Sequence, residues 1–235
     1  MASDTRELTF WLAVPERRLL QAIARRLPRW VTSDLLTGVG VIGAIGTGAA
    51  YALSGQSVLW LLVACATLGV NWFGDSLDGT LARVRKTERP RYGYYLDHVV
   101  DVFSTAVIGV GLGLSPYLAL EIGLALVVLY LALAINVYLE TTVFDAFRLG
   151  YGPFGPTESR VILVLWNLGV VLATAGGLDL TGALNAVMNG IGILLGAGMT
   201  VILVTRFVRN LRELAQLEPV RTAPTVLRSR RGGVA

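Results

Sequence analysis

Six apolar stretches dominate the pattern along the chain, at 34–54, 57–82, 92–114, 116–143, 158–177 and 181–208. Short polar or glycine-containing segments separate them. Each is near the roughly 20 residues that an α-helix needs to cross a hydrocarbon core. The pattern therefore predicts an all-α integral membrane protein with six transmembrane helices. Ahead of the first stretch, Leu19, Ile23 and Leu27 recur at helical spacing among Arg17, Arg18, Arg25 and Arg26, with Phe10 and Trp11 upstream. This is the pattern of an amphipathic helix lying on a membrane face. The expected division is a juxtamembrane helix in 1–33, a six-helix domain in 34–210 and a basic tail in 211–235. Gly40, Ala44 and Gly48 in the first stretch, and Gly192 and Gly196 in the last, stand four apart. Small residues at that spacing let helix backbones approach closely.

Composition agrees with this class. Hydrophobic residues make up 54% of the chain and charged residues only 15%, where a soluble domain carries about a quarter. The single cysteine, Cys65, sits in an apolar run, so it has no disulfide partner and reads as a core residue. The formal charge of +4 comes from topology and implies no nucleic acid partner. All 20 Lys and Arg fall before the first span, between the second and third, between the fourth and fifth, or from Arg206 onward. The loops on the other side carry none. The positive-inside rule then puts both termini and the 83–91 segment in the cytoplasm. The first 30 residues lack the charge order and cleavage site of a signal peptide. The arginines of the tail either meet anionic lipid or are simply solvated.

The second and third spans carry four aspartates at their shared end: Asp75, Asp78, Asp97 and Asp101. Asp75 and Asp78 are three apart, and Asp97 and Asp101 four apart, so each pair shares a helix face. If the faces meet, four carboxylates converge at the cytoplasmic membrane boundary. Buried like charges repel, so a cation must accompany them. The protein's one histidine is His98 and its one cysteine is elsewhere, so soft ligands are missing. Carboxylates alone suit hard divalent ions, Mg²⁺ or Mn²⁺. Four negative charges match two such ions, the usual clamp for displacement at phosphorus. Gly79 and Ala82 keep the adjoining surface low for a substrate, and Arg83 stands where it can meet a phosphate. Gly93 is expected to let the third span pack tightly. Arg85, Lys86, Arg89 and Arg91 form a positive funnel. A divalent-cation channel or transporter is the alternative. It accounts for the acids but not for Gly79, Ala82, Arg83 and the basic loop, and the outer halves of both spans are apolar. A silent scaffold would not need four aspartates.

Asp75, Asp78, Gly79, Ala82, Arg83, Gly93, Asp97 and Asp101 resemble, in type and order, the signature of the CDP-alcohol phosphotransferase family. The resemblance implies that an alcohol attacks the β-phosphorus of a CDP-linked donor and that CMP leaves. It implies that Asp75, Asp78 and Asp97 hold one metal and that Asp75, Asp97 and Asp101 hold a second. Asp101 would also take the proton of the attacking hydroxyl. Gly79, Ala82 and Arg83 would contact the CDP moiety. The segment "TSDLLTG" is similar to the start of the family's first span, which extends the nucleotide contacts to Ser33, Asp34, Leu35 and Leu36. Asp34 reads equally well as a helix cap. "DHVVD" resembles the form seen in choline and ethanolamine phosphotransferases, where His98 would assist proton transfer. "GPTE" resembles a segment of the aminoalcohol enzymes, so Glu158 or Arg160 would line the active-site mouth. The plainer reading makes Thr157 an N-cap and sets Glu158 at the positive end of the helix dipole. Glu140 and Asp145 lie near the same side of the membrane. Two donor and acceptor pairings remain: a CDP-aminoalcohol with a diacylglycerol-like lipid, or CDP-diacylglycerol with a small polar alcohol. The family resemblance also implies a homodimer in a lipid bilayer.

Overall fold

The computed structural model describes residues 12–144 and 156–218. Phe10, Trp11, Asp145, Arg148, Arg221, Arg228, Arg230 and Arg231 lie outside the described residues. Among those described, the chain is entirely helical, with α1 (Ala13–Arg26), α2 (Ser33–Leu53), α3 (Trp60–Arg85), α4 (Pro90–Gly113), α5 (Leu120–Phe144), α6 (Pro156–Ala175) and α7 (Thr181–Leu217). Five of these, α2, α4, α5, α6 and α7, are long and apolar enough to cross a membrane. The protein is therefore a multi-pass membrane protein. The remaining expected span is α3. It has the length, 26 residues, but Asn71, Asp75 and Asp78 lower its hydropathy. Helix α7 continues as a polar helix to Leu217, past the apolar stretch that ends at 208.

Helix α2 is the hub. Half of its spanning stretch is buried, against 6% of that of α7. Its start is fixed by Thr32, whose Oγ1 accepts the Leu35 N–H at 3.2 Å. The cap is thus Thr32, and Asp34 sits in the first turn instead, where its charge suits the helix dipole. The small residues of α2 let two helices press against it. A Cβ on Gly74 of α3 would strike the Gly40 nitrogen and the Leu36 carbonyl. A Cβ on Gly43 would lie 2.8 Å from Asn71 Cα, and Gly48 meets Gly111 of α4 backbone to backbone. Asn71 Nδ2 donates to the Gly40 carbonyl at 3.0 Å, across the same crossing. The expected Gly40, Ala44 and Gly48 stripe is a contact face, and its partner glycines are Gly74 and Gly111. Gly192 likewise marks where α7 meets α5, at Ile122.

Helix α1 packs on the aspartate-bearing ends of α2 and α3. Leu20 and Ala24 are buried with Val31, Leu36, Leu77 and Leu81, and Ile23 and Leu27 lie against them. Leu19, expected in the apolar stripe, is 51% exposed; the face that meets protein is one residue further round. Arg85 donates to the carbonyls of Leu27 at 3.0 Å, Pro28 at 2.8 Å and Val31. Those bonds hold the α1–α2 link, so Arg85 is a structural tie more than a free member of the basic funnel. Lys86 takes a left-handed backbone, φ 56°, and ends α3. Pro90 opens α4 almost at once, which keeps the aspartates of α3 and α4 at one end.

Glu140 is buried and accepts from Asn136 Nδ2 at 2.7 Å and Asn210 Nδ2 at 2.6 Å, and it pairs with Arg206 at 3.1 Å. Glu140 and Arg206 therefore pin α5 to α7. Satisfying a buried pair with further hydrogen bonds is what makes it tolerable there. Cys65 is half-buried on α3, its thiol 3.9 Å from the Val164 carbonyl of α6.

Replacing Gly74 by Ala forces α2 and α3 apart, with an expected loss of about 1–3 kcal/mol. Gly69→Ala, where a Cβ meets nothing within 4 Å, is expected to cost nothing. Thermal unfolding of both variants in detergent checks this: a lowered midpoint for Gly74→Ala alone.

Candidate active site

The aspartate-bearing ends of α2, α3 and α4, the first turn of α6 and one residue of α1 enclose a cavity of about 1100 Å³. Asp75, Asp78, Asp97 and Asp101 all line it. Asp75, Asp97 and Asp101 each bring one carboxylate oxygen to within 4.8 Å of the others. The 75–101 segment thus brings its acids together: Asp75 of α3 looks across the cavity at Asp97 and Asp101 of α4. The glycine crossing explains the placement of Asp75. A Cβ on Gly40 would lie 3.2 Å from the Asp75 backbone nitrogen.

Asp78 is arranged differently. Its Oδ2 accepts from Thr37 Oγ1 at 2.6 Å, and its Oδ1 accepts the backbone N–H of Gly79. Ser33 Oγ donates to the Asp78 carbonyl at 2.9 Å. Asp78 is therefore tied to α2 and stands apart from the three-carboxylate group, in the same cavity. Ser33 and Asp34 line the cavity. Leu36 is 3% exposed and belongs to the core beneath α1, while Leu35 is 45% exposed; neither side chain lines the cavity.

Arg160 pairs directly with the three-carboxylate group. Its Nη2 lies 2.7 Å from Asp75 Oδ2, and both side chains are largely shielded. Arg83 folds over Gly79, whose added Cβ would meet the guanidinium at 3.5 Å, and donates to Thr80 Oγ1 at 3.2 Å. Gly79, Ala82 and Arg83 all line this wall of the cavity. Arg89 pairs with Asp34 and stacks on the Tyr92 ring at 3.8 Å. Gly93 has nothing within 4 Å of an added Cβ. It opens onto the cavity and does not serve the tight packing expected of it.

His98 lines the cavity. Its Nδ1 is 2.7 Å from the Tyr94 carbonyl and 4.0 Å from Asp97 Oδ2. Its ring centroid is 4.9 Å from that of Tyr138 on α5. Glu158 is buried, and its Oε1 accepts the Leu12 N–H at the start of α1 at 2.8 Å. Of the pair Glu158 and Arg160, only Arg160 lines the cavity. Thr157 lies inside α6, so it is not the N-cap; its hydroxyl donates to Glu16 Oε1 at 2.8 Å.

Thr37 and Glu16 are cavity residues that sequence reasoning missed. Thr37 is one turn beyond Ser33 on α2, and that spacing is its only signal. Glu16 stands among arginines in α1 and carries no signal of its own.

Three carboxylates within ligand reach of one another, with only oxygen donors, fit a hard divalent cation. Arg160 offsets one of their charges. The model of the CDP-alcohol phosphatidyltransferase family matches residues 30–202. The chain belongs to that family. A search among curated proteins found no match. A CDP-alcohol phosphatidyltransferase is a transferase of substituted phosphate groups that works in phospholipid synthesis, with a CDP-alcohol as donor and a requirement for a divalent metal. The matched segment starts just ahead of α2 and ends within α7, so α1 lies outside it.

Asp97→Asn removes one charged ligand from the three-carboxylate group and is expected to weaken Mn²⁺ binding by at least about tenfold. Asp34→Asn, which breaks only an exposed ion pair, is expected to leave it unchanged. A Mn²⁺ titration followed by the electron paramagnetic resonance of the free ion separates the two.

Proposed function

We propose that this transferase moves the phosphoaminoalcohol group of a CDP-aminoalcohol to the hydroxyl of a diacylglycerol-like lipid, releasing CMP, at the cytoplasmic face of the membrane. The observation that carries the chemistry is the convergence of Asp75, Asp97 and Asp101 on the wall of one cavity with Arg83 and Arg160. The choice of donor rests on "DHVVD" and "GPTE". His98 of the first lines the cavity beside Asp97, where it could assist the proton transfer that the resemblance implies.

Asp75, Asp97 and Asp101 would hold one divalent ion. Asp78, with Asp75 and Asp97, would contribute to a second. Mg²⁺ and Mn²⁺ both suit these ligands. Bound there, the ions would neutralise the diphosphate and polarise its oxygens. Arg83 would bind the donor phosphates, and Gly79, Ala82, Ser33 and Asp34 would form the wall against which the nucleotide lies. Leu35 and Leu36 would act through their backbone in the first turn of α2. The acceptor hydroxyl would attack the β-phosphorus while Asp101 takes its proton. The bond from that phosphorus to the bridging oxygen then breaks, and CMP leaves with that oxygen.

In the bilayer α3 would be the sixth span. Its polar stretch faces the cavity and its outer half is apolar, which supports the crossing. The arginines fall in the sequence segments on the same side as the aspartates, which supports cytoplasmic termini and a cytoplasmic site. Exposed Trp30 and the basic last turn of α1 support an interfacial placement for that helix. The largely unburied faces of α5 to α7 would meet lipid or a second copy in a homodimer. The proposed division stays 1–33, 34–210 and 211–235, with the last boundary falling inside α7.

The test is CMP release by the purified protein with Mg²⁺. CDP-ethanolamine or CDP-choline with diacylglycerol is compared with CDP-diacylglycerol and small polar alcohols. Release from the CDP-aminoalcohol, reduced about 10²–10⁴-fold in Asp101→Asn, is the expected result. Release only from CDP-diacylglycerol reverses the donor assignment and leaves the chemistry standing.

A further inference from the structure

Helix α1 lies outside the segment that matches the family, yet it reaches into the cavity. Its Glu16 lines that cavity together with Thr157 and Arg160. One oxygen, Glu16 Oε1, accepts two hydrogen bonds from two different helices. Trp72 Nε1 of α3 donates at 2.7 Å, and Thr157 Oγ1 of α6 donates at 2.8 Å. A second bond runs the other way, from the Leu12 N–H of α1 to Glu158 of α6 at 2.8 Å. The starts of α1 and α6 are thus cross-tied, and α3 is tied to both.

The sequence positions give these ties a consequence. Trp72 and Asp75 are three apart on α3, and Thr157 and Arg160 are three apart on α6. Residues at that spacing share a helix face. Glu16 joins the first member of each pair, and the Arg160–Asp75 contact at 2.7 Å joins the second. The first turn of a helix has few bonds of its own to hold it, so the outside tethers on Thr157 and Glu158 bear on where Arg160 points. Hydrogen-bonded partners of this kind orient a ligating carboxylate and tune its affinity for metal.

We propose that Glu16 is a positioning residue for the metal site. It acts through the first turn of α6 to hold Arg160 on Asp75. This rests on the reading of Asp75 as a metal ligand and deepens it: the site extends to a helix outside the family segment.

The experiment is a Mn²⁺ titration of the full chain in detergent, read by the resonance of the free ion, so that no substrate needs to be identified. Wild type, Glu16→Ala, Glu16→Gln, Thr157→Val, Arg160→Gln and the Glu16→Ala/Arg160→Gln double variant are compared. Glu16→Ala, Thr157→Val and Arg160→Gln are expected to move the dissociation constant in one direction, Arg160→Gln by about tenfold or more. The double variant is expected to match Arg160→Gln alone, since neighbours acting through one path are not additive. Glu16→Gln keeps an oxygen that accepts both bonds and is expected to stay within about threefold of wild type. Shifts that multiply in the double variant overturn the proposal, as does a Glu16→Gln as impaired as Glu16→Ala. An unchanged constant in Thr157→Val overturns it too, and that variant serves where Glu16→Ala does not fold. Wild-type protein that binds no Mn²⁺ overturns instead the metal-site reading beneath it.

Discussion

The distance between α2 and α3 is set by two glycines, Gly40 and Gly74, and the site depends on that distance. A Cβ on Gly74 would strike the Gly40 backbone, and one on Gly40 would press on the Asp75 nitrogen at 3.2 Å. Asp75 follows Gly74 directly, so the crossing decides where its carboxylate emerges. The same helix α2 receives α4 at Gly48 and Gly111, which brings Asp97 and Asp101 in from the other side. Thr37 and Ser33, on α2 itself, then fasten Asp78. One helix with small residues on two faces is the template on which four carboxylates are laid.

Placing carboxylates at the end of a membrane helix carries a desolvation cost that must be offset locally. The offset here is built from several directions. Arg160 of α6 meets Asp75, Arg83 lies along the wall that Gly79 leaves bare, and Arg89 answers Asp34. The remaining negative charge of the three-carboxylate group is the attraction for divalent cations. Under the proposed function, arginine and metal would share the task, and the arginines would also bind the donor diphosphate. The polarity of α3, which makes it the least membrane-like of the long helices, is the direct result of carrying this chemistry.

The parts of the site legible in the sequence were those written in residue type at helical spacing. Asp75 shares a helix face with Asp78, and Asp97 with Asp101, because three and four residues make about a turn, and the basic loop lies between the two pairs. What was not legible needs the third dimension. The stripe Leu19, Ile23 and Leu27 shows an apolar face on α1, but not that Leu20 and Ala24 are the residues covered by α2 and α3. Asp34 beside Ser33 looks like a cap, and Thr32 does that work. Gly93 and Gly74 are the same residue type, yet one opens onto the cavity and the other meets a backbone. Glu140 and Arg206 are 66 residues apart, and nothing local announces that they pair. Glu16 is equally silent, because its meaning lies in Trp72 and Thr157.

The most direct test of this account is to locate the metal. Crystals of the protein soaked in Mn²⁺ and measured for anomalous scattering give the ion's position without reference to any substrate. The account predicts a peak within ligand distance of Asp75, Asp97 and Asp101, on the wall of the cavity that Arg83 and Arg160 share. A peak held by other residues, or none at saturating Mn²⁺, would contradict it.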